Sequence, residues 1–341
     1  MAHFYRKKLH PATLYAPLFF HFFRKGRPME PWIDVIIPTY RPGKELLLLL
    51  EKLAAQSARI GKIILINTEQ RYWDRLYKEY GSPEQLDKVE LHHIGEAEFD
   101  HGLTRNLAVS YSTAPYFLCM TQDALPADEY CVENLLSQLL KKDVAAAYAR
   151  QLPAKDCRIA ERYVRRFNYP EEGSIKRKED MERLGIKTFF CSNVCAAYSR
   201  EIFDRLGGFP GPVIFNEDMI YAGRAVQAGY GIAYAAKAEV IHSHNYSGRQ
   251  QFCRNFDLGV SQAEYPEIFS VVSSEKEGSR MVWKTAVHLW RQKQAAALPA
   301  FFFQCVCKLM GYRMGKAFRH LPKRCILACT MNKRYWIFHR F

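Results

Sequence analysis

Four β-type apolar runs alternate with helical segments between residues 32 and 121, and this pattern constrains the fold more than any other feature of the chain. Trp32–Ile37 is a near-continuous β-rich run, followed by the loop Pro38-Thr39-Tyr40-Arg41-Pro42-Gly43. Gly61–Asn67, Val89–Ile94 and Tyr116–Thr121 read as further strands. Between them lie a leucine-rich helical stretch (Lys44–Gln56), a helix over Arg71–Tyr80 and a short helix over Leu103–Ser112. Strands that alternate with helices imply right-handed βαβ crossovers and a parallel sheet. Such sheets bind ligands outside the carboxyl ends of their strands, which directs attention to Thr39–Arg41, Asn67–Glu69 and Gln122–Ala124. The first loop lacks GxGxxG, so a dinucleotide site is not expected.

The second half is less regular. It predicts a helix over Ala127–Lys141, a strand over Val144–Ala149, and irregular polar sequence over Gln151–Lys187. Thr188–Tyr198 reads as a strand, and Ser199–Leu206 as a helix stopped by Gly207-Gly208. Asn216–Ala228 reads as a helix with Gly229 at its C-cap. Gly231–Tyr234 and Ala238–His242 read as two strands. Tail helices are expected over Ser279–Ala297 and Ala300–Phe318, broken by Pro299.

Charge divides the chain differently. The net +14 is concentrated at the ends: residues 1–30 carry +5, residues 280–341 carry 13 Lys or Arg with no acidic residue, and residues 31–279 carry −4. Basic, aromatic ends on a mildly acidic body point to an anionic partner, either membrane lipid or nucleic acid. With 48% apolar and 25% charged residues the chain is a folded globular protein. It needs no disulfide framework, and its ten cysteines fit reduced thiols. The apolar patch at Leu14–Phe23 holds His21 and lacks a small-residue cleavage site, so a signal peptide is not expected, and no run of 18 uncharged apolar residues reads as a strong transmembrane helix. The expected organisation is an extension (1–30), a main domain (31–265, with halves 31–126 and 127–265), and a basic helical tail (266–341).

Four groups could carry chemistry, and each has a plain structural alternative. Asp123 follows an apolar strand and could hold a divalent ion against a diphosphate, or simply cap a turn. Glu217-Asp218 opens a helix, where acids complement the dipole, yet two adjacent carboxylates also supply a base and its orienting partner. His242 and His244 share one face of a strand end and could meet a metal or phosphate. In Phe99-Asp-His-Gly-Leu-Thr-Arg-Asn106, Asp100 or Thr104 could cap a helix and Arg105 could face a phosphate.

Taken in order, Val35-Ile-Ile-Pro-Thr-Tyr40, Phe99–Asn106, Thr121-Gln-Asp-Ala-Leu-Pro126, Ala149-Arg-Gln-Leu-Pro153, Phe167-Asn-Tyr-Pro170, Gly207-Gly-Phe209, Asn216-Glu-Asp218 and His242-Ser-His-Asn-Tyr246 resemble the family 2 inverting glycosyltransferases of GT-A fold. Within that family the set is most similar to the bacterial rhamnosyltransferases that use dTDP-L-rhamnose. The likeness spans about residues 32–260. It implies a Rossmann-like α/β nucleotide-diphospho-sugar domain in which Thr39, Tyr40 and Arg41 line the nucleotide pocket, with Asn67 and Glu69 near the base and ribose. Arg105 approaches the diphosphate, and Gln122 and Asp123 bind donor. The usual DxD is reduced to Gln122-Asp123-Ala124, leaving Asp123 as the acidic ligand of Mg²⁺ or Mn²⁺ and His244 as a further ligand, ahead of His242. The same likeness implies that Asp218 is the catalytic base and Glu217 its helper, or the reverse. Arg150 and Gln151 end another strand and could contact donor or acceptor.

The acceptor implied is a polyprenyl-diphosphate-linked glycan in surface polysaccharide synthesis. The enzyme would then lie peripherally on the cytoplasmic face of the cell membrane, held to anionic lipid by its basic ends, with no nucleic-acid partner. Two rivals are a family 2 enzyme using another donor, such as a UDP-sugar, and a non-catalytic membrane-associated binding protein of the same fold.

Overall fold

The computed structural model describes residues 31–81, 88–271 and 275–341, so the expected basic extension at 1–30 lies outside the described residues. The first half follows the predicted alternation: β1 (Ile33–Tyr40), α1 (Lys44–Ala54), β2 (Ile60–Thr68), α2 (Gln70–Tyr80), β3 (Val89–Ile94), α3 (His101–Tyr111) and β4 (Tyr116–Met120). Side chains of β1 alternate between two apolar layers. Ile33, Val35 and Ile37 pack with Leu46, Leu49, Leu50 and Leu53 of α1, and Ile36 packs on the other face with Ala108 and Val109 of α3. The α1 leucines recur at helical spacing, so one stripe faces the sheet. Burying each is worth about 1.5–3 kcal/mol.

The second half comprises β5 (Leu125–Pro126), α4 (Cys131–Leu139), β6 (Val144–Leu152), α5 (Ile159–Asn168), β7 (Ser174–Lys176), α6 (Met181–Leu184), β8 (Cys195–Ser199), α7 (Arg200–Arg205), α8 (Glu217–Gln227) and β9 (Gly231–Ile241). All nine strands form one sheet in the order β3-β2-β1-β4-β8-β6-β9-β5, with β7 also paired to β9. The sheet is mixed, not parallel throughout. β8 runs antiparallel to both β4 and β6, while β6 and β9 are parallel. β1, β2, β3, β4, β6 and β9 therefore end at one edge of the sheet, and β8 begins there. That edge gathers Tyr40, Thr68, Met120, Leu152 and Ile241, together with the loop that enters β8.

Four expectations for the second half are corrected. The strand expected over Thr188–Tyr198 is confined to Cys195–Ser199, because Gly185–Phe189 forms a 3₁₀ turn and residues 190–194 cross the sheet edge as a loop. The two strands expected over Gly231–Tyr234 and Ala238–His242 are one strand with a bulge. Ala149 pairs with Ala235, but the next residue, Arg150, pairs with Glu239. The polar stretch expected to be irregular holds α5, whose Arg-rich surface hides a helix burying mainly Val164. The tail is broken into two helices, but at residues 292–297, ahead of Pro299, which stands in the first turn of the second helix, where a missing N–H costs no intrahelical bond.

The tail continues as α9 (Gly248–Glu264), α10 (Pro266–Phe269), α11 (Glu275–Arg291), α12 (Leu298–Lys316), α13 (Lys323–Cys329) and α14 (Lys333–His339). α9 and α12 touch backbone to backbone. A Cβ on Gly259 would lie 2.3 Å from the Tyr312 carbonyl oxygen, and a Cβ on Gly315 would lie 2.1 Å from that of Phe256. Larger side chains there would drive the helices apart. Among the described residues one helix, Ala295–Lys316, has the length and composition to cross a membrane, although it includes charged residues. Its outward side leaves Phe302, Phe303, Val306, Leu309 and Met310 exposed.

Candidate active site

Three groups of side chains meet at the convergent sheet edge. The first is the end of β1. The Tyr40 backbone exchanges two hydrogen bonds with the Gln122 side chain: its N–H donates to Oε1 and its carbonyl accepts from Nε2, each at 3.0 Å. Gln122 thus ties the first loop to the end of β4. Thr39 and Asn67 lie beneath this surface, both buried, with the Thr39 hydroxyl 3.2 Å from Asn67 Oδ1. Asn67 also bonds the Glu69 carbonyl and His93. Glu69 accepts the Glu96 N–H at 3.0 Å and pairs with Arg71. Arg41, at φ 49°, lies over the rings of Tyr40 and Tyr72 at 5.1 and 5.0 Å. Tyr40, Thr68, Glu96, Phe99 and His101 line a cavity of about 490 Å³.

The second group is Asp123, His242 and His244. The Asp123 carboxylate lies 3.6 Å from His242 Nε2 and 3.4 Å from His244 Nε2, and the three offered ligand atoms lie within 4.8 Å of one another. With ligand–metal distances of about 2.1 Å, adjacent ligands of an octahedral ion lie about 3 Å apart, so the set needs little movement to close on a cation. A carboxylate oxygen and two imidazole nitrogens are a donor set for a first-row divalent ion. Gln151 Oε1 lies 3.3 Å from His242 Nδ1, holding the ring with Nε2 turned to Asp123. Burial pushes the His242 imidazole down to about 3 and His244 downward as well, which keeps each ring neutral, with one nitrogen's lone pair free for a cation. The paired histidines were visible in the sequence, and the structure brings both to the carboxylate, His244 at 3.4 Å slightly nearer than His242 at 3.6 Å.

The third group is the acidic pair that opens α8. Glu217 is buried. Its Oε1 lies 3.1 Å from Arg105 Nη1 and accepts from Asn193 Nδ2 at 3.0 Å. Asp218 is only half-buried and accepts the N–H of Asn193 at 2.8 Å and of Met219 at 2.7 Å. Neighbours push the two carboxyls apart. Burial opposes charge on Glu217, yet Arg105, His101 and the Asn193 amide outweigh it and hold the group below its usual range. Burial and the Glu217 charge raise Asp218 to about 7. Two carboxyls split in this way leave one ionised and the other able to exchange a proton near neutrality.

The Phe99–Asn106 motif acts as a bracket for that pair. Asp100 caps α3 through the N–H groups of Gly102 and Leu103, and its other oxygen accepts from Val213 N at 2.7 Å. Gly102 is required because a Cβ would fall 1.7 Å from the Pro210 carbonyl oxygen. Asn106 binds both the N–H and the carbonyl of Phe209. Residues 209–213, which lead into Asn216 and α8, are thus strapped to α3, and Arg105 completes the strap at Glu217. Arg105 is committed to this buried pair. Arg150 is committed to Glu239 at 2.9 Å and Glu171 at 3.4 Å.

Asn193 was not expected. It lies in a stretch that reads as a strand, and only its polarity among Cys191, Val194 and Cys195 sets it apart. Its neighbour Ser192 accepts from Gln151 Nε2 at 3.1 Å, so hydrogen bonds run from His242 through Gln151 to the loop that holds Asp218.

Breaking the Arg105–Glu217 pair from one side leaves a buried carboxylate without compensation. Arg105→Met is expected to cost about 3–5 kcal/mol in urea unfolding. Adding Glu217→Gln to that variant is expected to recover part of the loss, and a double variant no more stable than Arg105→Met would contradict the pairing.

The chain that carries this pocket, this carboxylate–histidine group and this acidic pair has clear relatives. The family model described as glycosyl transferase family 2 matches residues 34–207. The chain is 37% identical over 308 residues to the O-antigen chain rhamnosyltransferase RfbN of Salmonella typhimurium, covering 89% of this chain and 96% of that protein. It is 42% identical over 245 residues to the O-antigen chain rhamnosyltransferase WbaN of Salmonella anatum, covering 71% and 78%. The mannosyltransferase PcManGT from Pyrobaculum calidifontis, solved with GDP-Man and Mn²⁺, superposes with a TM-score of 0.53 at 16% identity, over 85% of this chain and 87% of that one. The chain belongs to glycosyltransferase family 2 and has the GT-A fold; it is a glycosyltransferase.

Proposed function

We propose that this enzyme is an inverting rhamnosyltransferase of O-antigen synthesis that moves L-rhamnose from dTDP-L-rhamnose to a hydroxyl of a polyprenyl-diphosphate-linked glycan. The observation that carries this reading is the likeness to two O-antigen rhamnosyltransferases, one of them over nearly the full length of both chains. The donor nucleotide lies at the ends of β1 and β2, against Tyr40, Thr68 and Glu69, with Thr39 and Asn67 fixing the loops from below. Asp123, His242 and His244 would hold Mn²⁺ or Mg²⁺, which when bound neutralises charge on the departing diphosphate. Two imidazoles favour Mn²⁺ over Mg²⁺, an ion of all-oxygen sites. Asp218 takes the proton of the acceptor hydroxyl. The acceptor oxygen bonds to the anomeric carbon as the bond to the diphosphate oxygen breaks on the opposite face, and the nucleoside diphosphate leaves. One displacement turns a β-linked donor into an α-linked product. Glu217 stays ionised against Arg105, and its charge keeps Asp218 basic enough for this task. Arg105 acts on the reaction through Glu217.

The test is turnover of a donor panel by purified enzyme with a lipid-linked acceptor and Mn²⁺. Transfer from dTDP-L-rhamnose is expected. Transfer only from a UDP-sugar would keep the mechanism and reject the rhamnose donor. Nucleotide binding without turnover of any donor would favour the binding-protein rival.

The acceptor's lipid also gives the tail a task. Trp283 and Trp290, seven residues apart on one face of α11, are 72% and 69% exposed, and Phe303 of α12 is 63% exposed. No acidic residue follows position 280. Peripheral docking on anionic lipid at the cytoplasmic face suits this surface. The full chain is expected to co-sediment with phosphatidylglycerol-containing vesicles and to be released by salt. Trp283→Ala with Trp290→Ala is expected to weaken binding about tenfold. Equal partitioning onto neutral and anionic vesicles would reject the charge argument.

A further inference from the structure

The basic tail does more than face outward. The cavity of about 490 Å³ beside the nucleotide loops is closed on its far side by Arg254, Asp257 and the segment Met331–Arg334. Arg334 lies 294 residues from Tyr40 in sequence, yet its Nη2 donates to the Tyr40 hydroxyl at 3.1 Å. The same nitrogen is 2.6 Å from Glu96 Oε1, and the guanidinium lies 5.2 Å from the centre of the Tyr40 ring. Arg41 covers that ring at 5.1 Å, so two guanidinium groups grip one phenol.

The segment that delivers Arg334 is firmly held. Asp257 of α9 accepts from the Thr330 hydroxyl at 2.5 Å and from Met331 N at 2.9 Å. Asn332 caps α14 through Tyr335 N, and the Tyr335 hydroxyl lies 3.2 Å from Glu264. Tyr335 and Trp336 are buried with Ile214, Phe256, Val260 and Ile326. Ile214 and Phe215 lead directly into the acidic pair, so one packed cluster supports both the tail and the loop ahead of Asp218.

We propose that α14 is part of the donor site. Arg334 is a positioning residue that clamps Tyr40 and Glu96 into the wall of the nucleotide pocket, and Asp257 fixes the segment that carries it. The inference rests on the reading of this cavity as the nucleoside diphosphate pocket. Its electrostatic logic concerns Glu96. An uncompensated carboxylate in the wall of a diphosphate site repels the ligand, and Arg334 neutralises it at close range, with Arg71 3.8 Å away as a weaker second partner. A lysine keeps the charge but loses the planar guanidinium that lies over the Tyr40 ring.

The experiment measures binding of dTDP and of UDP to the full chain by calorimetry with Mn²⁺ present. The wild type, Arg334→Ala and Arg334→Lys are compared, together with donor KM, acceptor KM and kcat. Arg334→Ala is expected to weaken the preferred nucleotide and raise donor KM about tenfold. Acceptor KM and kcat are expected to stay within about twofold, and Tm within a degree or two, because the Arg334 side chain is substantially exposed. Arg334→Lys is expected to recover part of the affinity. Unchanged or tighter nucleotide binding in Arg334→Ala, beside a wild type that binds, overturns the inference alone. A wild type that binds neither nucleotide overturns the reading of the pocket and the inference with it. A fall in kcat and Tm with donor KM unchanged would make Arg334 merely structural and also overturn it.

Discussion

Asp218→Asn is expected to lower kcat/KM by about 10³-fold while leaving nucleotide affinity within about twofold. General bases contribute roughly 10²–10⁴-fold, and nothing else in the acidic pair can replace this one. Glu217 is held ionised below its usual range by Arg105 and Asn193 at Oε1, which makes it the weaker base of the two. The wild-type kcat/KM is expected to rise with pH to a plateau, with a midpoint near the value of about 7 to which burial and the Glu217 charge raise Asp218. The base works deprotonated, so activity is lost below that midpoint. Stability is expected to move the other way. A carboxyl whose folded value exceeds its ordinary 3.8 binds its proton more tightly in the folded state. Its contribution is full below pH 3.8 and disappears as the pH rises through about 7. Asp218→Asn removes this titration but turns an amide N–H toward one of the two backbone N–H groups, so the wild type's advantage in Tm over the variant is expected to narrow from pH 5 to pH 8. A Tm gap that stays constant or widens from pH 5 to pH 8, beside lost activity, would mean that Asp218 supports the loop rather than the reaction. A pH profile flat from 5 to 9 would reject it as the base.

Much of this site was legible because its chemistry sits at strand ends that burial makes conspicuous. The strands ending at Tyr40, Thr68 and Met120 are continuous apolar runs, and a run buried on both faces leaves a clear signal. Asp123, the Glu217-Asp218 pair and the two histidines then stand out as the polar residues next in line. The Phe99–Asn106 motif was equally visible, but its work was hidden. Asp100, Gly102 and Asn106 bind residues more than 100 positions away, and no local pattern reveals a partner at that distance. The loop at 190–194 misled in the opposite sense. Phe189 and Cys191 are buried because they sit under the sheet edge, and burial outside a strand resembles a strand in sequence. That error concealed Asn193, the residue that distinguishes the two carboxylates by giving one its side chain and the other its backbone. The tail presented only charge and aromatic content. Glycine contacts and the Asp257 anchor fold it onto the body, and these depend on three-dimensional register rather than composition.

Asp123→Ala is expected to have an effect as large as the loss of the base. Asp123 is the sole carboxylate in a group whose other members are neutral imidazoles, so it supplies the group's formal charge toward a cation. Charge neutralisation of a departing diphosphate is worth several kcal/mol, and about 4 kcal/mol corresponds to about a thousandfold in rate. The variant is expected to lose that factor together with Mn²⁺ binding, read independently of turnover by electron paramagnetic resonance of free Mn²⁺. His242→Ala and His244→Ala keep the carboxylate and are expected to raise the half-saturating Mn²⁺ concentration by at least about tenfold. Gln151→Ala, which leaves all three ligands but frees the His242 ring to turn, is expected to cost about 10–100-fold in Mn²⁺ affinity. The order of these effects matters more than any single value. If Asp123 acts only by turning the chain after β4, its removal lowers activity without changing Mn²⁺ binding, and the histidine variants behave like wild type. If the three residues form one site, their Mn²⁺ affinities fall together, Mn²⁺ supports turnover at lower concentration than Mg²⁺, and a chelator abolishes turnover until Mn²⁺ is restored.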